Sequence, residues 1–512
     1  YKNYLLGMVF YKYMSDKLLI SAYKLWKNGE SSNMTEAQAA YEEAIKEDGD
    51  DFKAELKETN RYIIAPELTY TKLVEKAINN TFQREDLQAA FNAITTSDKL
   101  FEHLFDDVDL YSNRLGTNDN KQSATISELL KKINEVNITK YTGDVLGDAY
   151  EYMIGQFASE TGKKAGEFYT PHAVSNLLAK IVMEGQSNTK GLTVYDPTMG
   201  SASLLLTLKN YSKHPDLIRY YGQELVNSTY NLARMNMLLH NIAPENQHLH
   251  NADTLDEDWP TEEVTDFHAV VMNPPYSQNW SAADGFLTDS RFSDYGALPP
   301  KSKADYAFLL HGFYHLKNSV DGSNTMAIIL PHGVLFRGAK EGFLRKKLLE
   351  AGSIYAVIGL PANLFYNTSI PTTVIILKKT RPGNADERLK RDVLFIDASQ
   401  DFEKGKKQNT LTEAHLDNIL TMYRERKDVD KKAHLASFEE IEQNDFNLNI
   451  PRYVDTFEPE PEINLSELTA EIENTDKEIA AVQSELLANL HELATDDEAT
   501  KQGLARLLKI LE

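Results

Sequence analysis

The chain has 512 residues, 42% of them hydrophobic, and a formal net charge of -23 at pH 7. That length exceeds one hydrophobic core, so we expect about two to four domains, and we expect no membrane span because no run of about 18 apolar residues exists. Cysteine is absent, which excludes disulfides, thiolate metal sites and a cysteine nucleophile, and we predict no metal site.

The first part of the chain is predicted to be helical. Residues 5–14 place apolar side chains at helical spacing, and residues 34–58 are rich in Ala, Glu and Lys. We predict a helical domain over residues 1–155 that packs rather than performs chemistry. The chain opens at Tyr1 rather than Met, so we expect natural residues before it.

Short β-rich segments alternate with helical stretches from about residue 165 to 400, which is typical of a mostly parallel α/β sheet. The segments are residues 192–195, 220–223, 269–272, 326–330, 355–359 and 373–377. We predict a second domain over residues 156–400. Within it, the long polar segment 277–304 is interpreted as a lid or a substrate-contacting loop.

Small residues and acids follow successive predicted strands. A small-residue turn at 196–203 leads into a helix, Glu224 ends the second strand, and Asp253 follows in the segment 251–255, after a further strand. Such a turn offers helix N–H groups to a ligand, an acid in the place of Glu224 can accept the hydroxyls of a ribose, and Asp253 could accept the amino hydrogens of an adenine. An acid of this kind, taken alone, is more often a surface carboxylate or a helix cap. Their order along the chain carries the prediction.

The segment 166–172 precedes a predicted helix. Thr170 is expected to cap that helix, and Pro171 is expected in its first turn. The alternative to a plain helix start is a segment that closes over a bound cofactor.

The tetrapeptide Asn273-Pro274-Pro275-Tyr276 ends the predicted strand 267–272. Ligands of doubly wound sheets bind outside such strand ends. The Asn oxygen and a proline carbonyl can accept the two hydrogens of a planar amino group, while the Tyr ring stacks on the attached base or amide. The pattern indicates methyl transfer to an exocyclic amine. An amine needs no cysteine, whereas covalent methylation of cytosine carbon 5 does.

The last part of the chain is acidic and helical. Residues 401–460 mix helix and loop, and Pro459 and Pro461 then interrupt the chain. Apolar residues from Leu465 to Leu493 recur at threes and fours, which predicts an amphipathic helix of coiled-coil type within a tail at 461–512. This tail either folds back on its own chain or docks another subunit.

Together these motifs resemble the modification subunits of type I restriction-modification systems, which are S-adenosylmethionine-dependent adenine-N6 DNA methyltransferases. The matching segments are residues 166–171, 196–205, 273–276, 301–308, 360–365 and 447–453. The resemblance implies an α/β fold: a Rossmann-like methyltransferase sheet with an N-terminal helical domain and a C-terminal coiled-coil-type helix.

The resemblance also implies site residues. The residues expected to hold S-adenosylmethionine are Glu167, Phe168, Tyr169, Thr170, Asp196, Thr198, Gly200, Ser201, Ser203, Glu224, Asp253 and Asn273. Asp305 and Phe308 are expected to border the cofactor's adenine. The catalytic residues are expected to be Asn273, Pro274, Pro275 and Tyr276, with Tyr276 and Phe365 as walls of the target-base pocket. Ala202 departs from the family, which often has Gly there.

By the same resemblance, the partners are double-stranded DNA, a separate specificity subunit, a second modification subunit and a restriction subunit, in the cytoplasm of a bacterial or archaeal cell. The acidic charge agrees, because a chain that grips DNA alone usually has a basic face. The tail at 461–512 is the expected docking element. Residues 337–340 and 345–347 either contact phosphate or form a solvated helix face.

Three alternatives remain open from the residues. The tetrapeptide at 273–276, called the elbow below, also occurs in protein and RNA methyltransferases that act on glutamine amides or guanine amines. Cytosine N4 is an equally suitable amine in DNA. A non-catalytic assembly subunit that kept the fold is the third alternative, although the intact Asn273 and Tyr276 disfavour it.

Overall fold

A computed structural model describes residues 2–31, 33–136, 143–160, 169–366, 369–381, 390–406, 408–456 and 464–511. In these ranges the α-helices are α1 (Lys2–Lys27), α2 (Met34–Asn60), α3 (Tyr70–Ile78), α4 (Arg84–Thr95), α5 (Asp119–Asn134), α6 (Gly143–Glu160), α7 (His172–Val182), α8 (Ser203–Thr207), α9 (Asn227–Leu239), α10 (Asp305–Tyr314), α11 (Ala339–Glu350), α12 (Glu413–Glu425), α13 (Phe438–Gln443), α14 (Leu465–Glu492) and α15 (Glu498–Leu511). The strands are β1 (Thr193–Asp196), β2 (Arg219–Gln223), β3 (Gln247–His250), β4 (Ala269–Met272), β5 (Thr325–Pro331), β6 (Ile354–Gly359), β7 (Thr372–Leu377), β8 (Val393–Asp397), β9 (Glu403–Lys404), β10 (Asn409–Thr410) and β11 (Ala433–Ala436). Among the helices described, none has the length and apolar character needed to cross a membrane.

The predicted N-terminal helices are present, and α1–α5 enclose an aromatic-rich core. Phe91 stacks on Phe105 at 4.1 Å between ring centroids, and Tyr11 meets Phe91 edge-on. The same core includes apolar side chains of α6 and of α9, a helix that flanks the sheet. The N-terminal helices therefore pack directly against the α/β part of the chain.

Nine of the described strands form one sheet in the order β11-β8-β6-β7-β5-β4-β1-β2-β3. The neighbours from β3 to β5 are parallel, β7 is antiparallel to both β5 and β6, and β11 is antiparallel to β8. Successive side chains of the central strands enter two different cores, one on each face, as the two-residue period of a strand dictates. The prediction of a mostly parallel α/β sheet is confirmed.

The strand order places a crevice at the carboxyl ends of β1 and β4. From β1 the chain builds outward to β2 and β3 on one side, whereas β4 and β5 lie on the other. Helices then leave these strand ends in different directions and open a space for ligands. Asp196 at the end of β1 and Asn273 after β4 therefore meet at the same edge.

All six predicted strands are present, with ends shifted by at most one residue. The sequence did not predict the other three strands of this sheet, β3, β8 and β11, or the hairpin strands β9 and β10; β3 and β11 are the outer strands of the sheet. Edge strands are short and partly solvated, so their sequences lack the apolar run that marks a central strand. β3, for example, reads Gln-His-Leu-His and is only half-buried.

The chain divides into two compact units, residues 1–455 and 456–512. The predicted boundaries at residues 155, 400 and 460 stay predictions. In the second unit the tail helix is present, but it ends at Glu492 and a second helix, α15, follows. Asp497 explains the restart, since its carboxylate accepts the backbone N–H of Thr500 in the manner of an N-cap. The apolar side chains of α14 remain exposed.

Candidate functional site

A cavity of about 560 Å³ opens at the carboxyl ends of β1, β2 and β4. Its volume suits a cofactor-sized ligand. The lining residues are Pro197, Thr198, Glu224, Leu225, Val226, Asp253, Thr254, Asn273, Pro275, Tyr276, Ser277, Gln278, Asn279 and Phe308. Seven residues predicted from the sequence are thus brought together: Thr198, Glu224, Asp253, Asn273, Pro275, Tyr276 and Phe308. Glu167 and Phe168 lie outside the described residues.

Two carboxylates follow the strand ends at this cavity: Glu224 lines it, and Asp196 ends β1 just before the lining residues Pro197 and Thr198. Asp196 is 1% exposed, and its Oδ1 accepts the backbone N–H and the hydroxyl of Thr198 at 2.9 and 3.2 Å. Burial raises the pKa of Asp196 to about 7, against the lowering effect of Thr198. Burial likewise raises the pKa of Glu224 to about 7, although backbone N–H groups including that of Val226 at 2.7 Å lower it. Hydroxyl or cationic ligand groups would stabilise the ionised forms.

The turn between β1 and α8 brings the backbone close to the cavity. Gly200 and Ala202 both have left-handed backbone angles, with φ of 55° and 63°. Gly tolerates this conformation without strain, whereas a Cβ does not, which accounts for the family's Gly at the place of Ala202. Ser201 and Ser203 are buried, and their hydroxyls lie 3.0 Å apart. Their side chains therefore bond to each other rather than line the cavity.

A chain of hydrogen bonds fixes the Asn273 amide. Its Nδ2 donates to the Thr170 hydroxyl at 3.1 Å, and its Oδ1 accepts the Tyr276 hydroxyl at 2.9 Å. The prediction that Thr170 caps the next helix is wrong: α7 begins after Pro171 with no side-chain cap. The Thr170 hydroxyl instead accepts the hydrogen bond from Asn273, and this bond orients the amide so that its oxygen faces the Tyr276 hydroxyl. Burial raises the pKa of Tyr276, so this phenol stays a neutral donor.

Replacing Thr170 with valine is expected to slow methyl transfer by about 10- to 100-fold. Valine keeps the shape but offers no acceptor, so Asn273 Nδ2 loses this hydrogen bond and the amide is held less firmly in its orientation. Cofactor affinity should change by less than about threefold. Single-turnover kinetics and calorimetric titration separate the two. A serine in the same position restores the acceptor and should recover most of the rate, and a valine variant with the normal rate would contradict the role of this bond.

Two aromatic rings border the elbow. The Phe365 ring lies 6.4 Å from that of Tyr276 and nearly perpendicular to it, at 84°. Phe365 is 1% exposed, whereas Tyr276 is partly exposed towards the cavity. Tyr169 packs near Tyr366, with ring centroids 6.0 Å apart. Of these two rings in edge-on contact, Tyr276 lines the cavity and Phe365 is buried against it, and the prediction that both form walls of a base pocket stays a prediction.

Asp305 and the arginines of the 337–347 segment differ from their predicted roles. Asp305 is fully buried, accepts the Ser277 N–H at 2.8 Å and pairs with Arg337, so it anchors the elbow instead of bordering the cavity. Arg337 also pairs with Glu341. Arg345 is 3% exposed and donates to the carbonyl oxygens of residues 334, 337 and 446. Neither arginine is available to a phosphate, because each is already committed to internal acceptors.

The segment 277–304 contributes a buried arginine that the sequence did not reveal. Arg291 is 2% exposed. Its guanidinium donates to the carbonyl oxygens of Thr254 and Leu255 at 3.0 and 3.2 Å, and it pairs with Asp289 at 2.7 Å. Since Asp253 precedes these carbonyls, Arg291 holds the segment that brings Asp253 to the cavity. An arginine in a polar loop gives no sequence signal of burial.

A histidine pair continues this network. Arg291 Nη1 donates to His311 Nδ1 at 3.2 Å, so the His311 Nε2 hydrogen faces the Tyr195 hydroxyl at 2.8 Å. Burial holds the pKa of His311 well below its usual value, which agrees with this neutral tautomer. His315 lies 3.0 Å from Asp258. The spacing of Asp258, His311 and His315 would suit a metal, but the guanidinium beside them repels a cation.

Replacing Arg291 with lysine is expected to lower the free energy of unfolding by about 1–2 kcal/mol, because an ammonium cannot reach both carbonyl oxygens and Asp289 together. Denaturant unfolding measures the change. Lysine in place of the exposed Arg424, which pairs with Glu184 at the surface, is the matched control and should cost less than about 0.5 kcal/mol. Equal effects at the two positions would contradict the bridging role of Arg291.

Comparison with known proteins agrees with this geometry. Residues 1–133 match the HsdM N-terminal domain, and residues 141–462 match the N-6 DNA Methylase family. The chain is 34% identical to the type I restriction enzyme MpnII methylase subunit of Mycoplasma pneumoniae, over 97% of this chain and 92% of that protein. It is 32% identical to the MjaVII methylase subunit of Methanocaldococcus jannaschii, over 69% of this chain and 61% of that protein.

A solved structure is similar over most of the length. The type I restriction-modification methyltransferase subunit from Streptococcus thermophilus superposes with a TM-score of 0.85 at 56% identity, covering 89% of this chain and 95% of that one. The family match spans more than half of the chain and includes the cavity and the elbow. The chain therefore belongs to the methylase (HsdM) subunits of type I restriction-modification systems and is an N6-adenine DNA methyltransferase.

Proposed function

We propose that the cavity binds S-adenosylmethionine and that the elbow holds the target adenine beside it. The observation that carries this proposal is the anchored amide of Asn273, which lines the same cavity as Glu224 and Asp253. The proposed acceptor for the amine, Asn273, and the proposed acceptors for a nucleoside, Glu224 and Asp253, therefore line one cavity. We assign Glu224 to the ribose hydroxyls, Asp253 to the cofactor's adenine, and Thr198, Asp196 and the Gly200 turn to the remaining contacts.

The donor set suits this cofactor. Carboxylates of raised pKa can accept hydroxyl hydrogens and stabilise positive charge, and the left-handed Gly200 turn lets a ligand approach the backbone. S-adenosylmethionine, when bound, supplies an electrophilic methyl group. Phe308, also in the lining, offers an apolar surface for a purine ring.

The elbow residues orient the amine. An adenine must leave the duplex to reach the pocket. Its ring would stack on Tyr276 against the perpendicular Phe365, while Asn273 Oδ1 and the Pro274 carbonyl accept the two amino hydrogens. Thr170 keeps the amide in this orientation, and Asp305 fixes the backbone after Tyr276. The chain thus acts by positioning and by preorganised dipoles, without a metal or a perturbed general base.

We further propose that this subunit works with a separate specificity subunit, a second modification subunit and a restriction subunit on double-stranded DNA in the prokaryotic cytoplasm. The acidic charge of the chain supports a partner that supplies DNA affinity. The exposed apolar side chains of α14 support docking by the tail. A tail truncated after Pro459 should therefore fail to co-purify with the specificity subunit.

The proposed function is tested by sequencing native DNA with modified-base detection. Cells that carry this gene with its neighbouring specificity gene are compared with cells in which this gene is deleted. N6-methyladenine at a split, two-part motif that disappears on deletion is the expected result. N4-methylcytosine at such a motif would overturn the assignment of the base, and identical DNA in both strains would overturn a DNA substrate.

A further inference from the structure

A small basic hairpin stands at the edge of the sheet that carries the cavity. Its described residues are β9 (Glu403–Lys404), Gly405, Lys406, Gln408 and β10 (Asn409–Thr410). The hairpin follows β8, which runs parallel to β6 and so ends at the same edge as the catalytic strands. The antiparallel register pairs Lys404 with Asn409 and Glu403 with Thr410.

Hydrogen bonds attach the hairpin to the wall of the base pocket. The backbone N–H of Asn409 donates to the Asn363 carbonyl at 2.9 Å, and its side chain donates to the Ala362 carbonyl at 2.9 Å. Gln408 Nε2 donates to the Leu364 carbonyl at 2.7 Å. The next residue, Phe365, meets the Tyr276 ring edge-on. The hairpin and the base pocket therefore form one continuous piece of structure.

Two lysines are among the described residues at the tip of the hairpin. Lys404 and Lys406 are exposed, and the described part of the chain supplies no ion pair to either. A Cβ on Gly405 would lie 2.1 Å from the Gln408 carbonyl oxygen, so the turn between the lysines is tight and requires glycine. These charges are conspicuous on a chain of net charge -23.

The strand register separates these charges from the nearest acid. Cross-strand partners share a face of the hairpin, and successive residues alternate between faces. Lys404 therefore lies on the face of Asn409, which contacts the base-pocket loop, whereas Glu403 lies on the opposite face with Thr410. Lys404 is therefore on the side of the hairpin that contacts residues 362–364.

We propose that Lys404 and Lys406 bind the DNA backbone phosphates that flank the flipped adenine. The proposal rests on the proposed function, because a base in the Tyr276 slot keeps its two neighbouring phosphates at the mouth of that pocket. Lysine ammonium groups bind phosphate as flexible point charges without reading sequence. The hairpin thus holds the strand in place while the specificity subunit selects the site.

The test removes both charges and measures DNA binding and methyl transfer separately. The full chain, co-expressed with its specificity subunit, carries Lys404→Gln and Lys406→Gln. The probe is a fluorescent duplex with one adenine opposite an abasic position, which lowers the cost of flipping. We expect the affinity to fall at least about tenfold at 0.1 M salt, with the slope of log K against log salt reduced by about 1.8. Saturating DNA should restore the rate of methyl transfer.

The control pair is Lys190→Gln with Lys317→Gln. Both lysines are exposed and lie next to the amino-terminal ends of the sheet strands, on the edge away from the cavity. This pair should leave both affinity and salt slope unchanged. If the hairpin pair behaves like the control pair, or if the wild-type complex does not bind the duplex, the hairpin proposal is overturned. If the hairpin pair weakens binding but the wild-type complex transfers no methyl group, the hairpin contact stands and the proposed function fails.

Discussion

Replacing Asn273 with alanine is expected to lower the rate of methyl transfer by about 10²- to 10³-fold. The amide oxygen is the acceptor that orients and polarises the amine, and removal of one preorganised dipole of this kind has an effect of that size. Alanine also leaves the hydroxyls of Thr170 and Tyr276 without the partner that each has in the wild type. Because Asn273 also lines the cavity, cofactor affinity should fall as well, but by less than about tenfold.

The measurement is single-turnover transfer of labelled methyl groups to DNA at saturating cofactor, beside a calorimetric cofactor titration. Asn279→Ala is the matched control, since Asn279 lines the same cavity but is exposed. That variant should keep the rate within about threefold. An Asn273→Ala enzyme that methylates at more than about a third of the wild-type rate would show that the elbow is not the amine acceptor.

Replacing Glu224 with glutamine is expected to weaken cofactor binding by about 10- to 100-fold at pH 8 and to reduce its pH dependence. Two ribose hydroxyls need an ionised acceptor, and glutamine offers one oxygen and an unwanted donor. Because burial raises the pKa of Glu224 to about 7, the ionised fraction falls about tenfold for each unit of pH below 7. Wild-type affinity should therefore fall as the pH falls through 7, and binding at pH 7 should release protons.

Calorimetric titration between pH 6 and 8, in two buffers of different ionisation enthalpy, measures both quantities. The pKa of Asp196 is also raised to about 7, partly by the charge of Glu224, so the Gln variant should keep a smaller pH dependence. Glu262→Gln, in the exposed segment before β4, is the control and should match the wild type. A Gln variant with the full wild-type pH dependence would assign the titration to Asp196 alone.

The same raised pKa values have a consequence for stability. Between pH 4.5 and 7 the folded protein binds more protons at Glu224 than the unfolded chain does, so this group contributes stability that is lost as the pH rises through that window. Without cofactor, the Gln variant should therefore unfold at a higher temperature than the wild type at pH 8. Burying the ionised Glu224 carboxylate lowers the free energy of unfolding, and a ligand that binds this carboxylate offsets the loss.

The local patterns of the sequence determined the central strands of the sheet and the order in which the site residues follow them along the chain. Most of the six predicted strands are short runs of apolar, β-branched and aromatic residues, which strands buried on both faces require. Glu224 and Asn273 follow such strands directly. Since the carboxyl ends of parallel strands meet at one edge, their convergence in one cavity could be predicted from the chain order alone.

Only the tertiary structure decided which polar groups are partners. Thr170 bonds to Asn273 across 103 positions, Asp305 pairs with Arg337, and Arg291 is buried beneath a polar loop. A side chain's charge predicts that it needs a partner when buried, but not which element will bring that partner. The hairpin of β9 and β10 shows the same limit, because the role proposed for its lysines depends on the hydrogen bonds that attach it to residues 362–364. Periodicity is a local property that one segment carries by itself, whereas pairing depends on how distant segments pack.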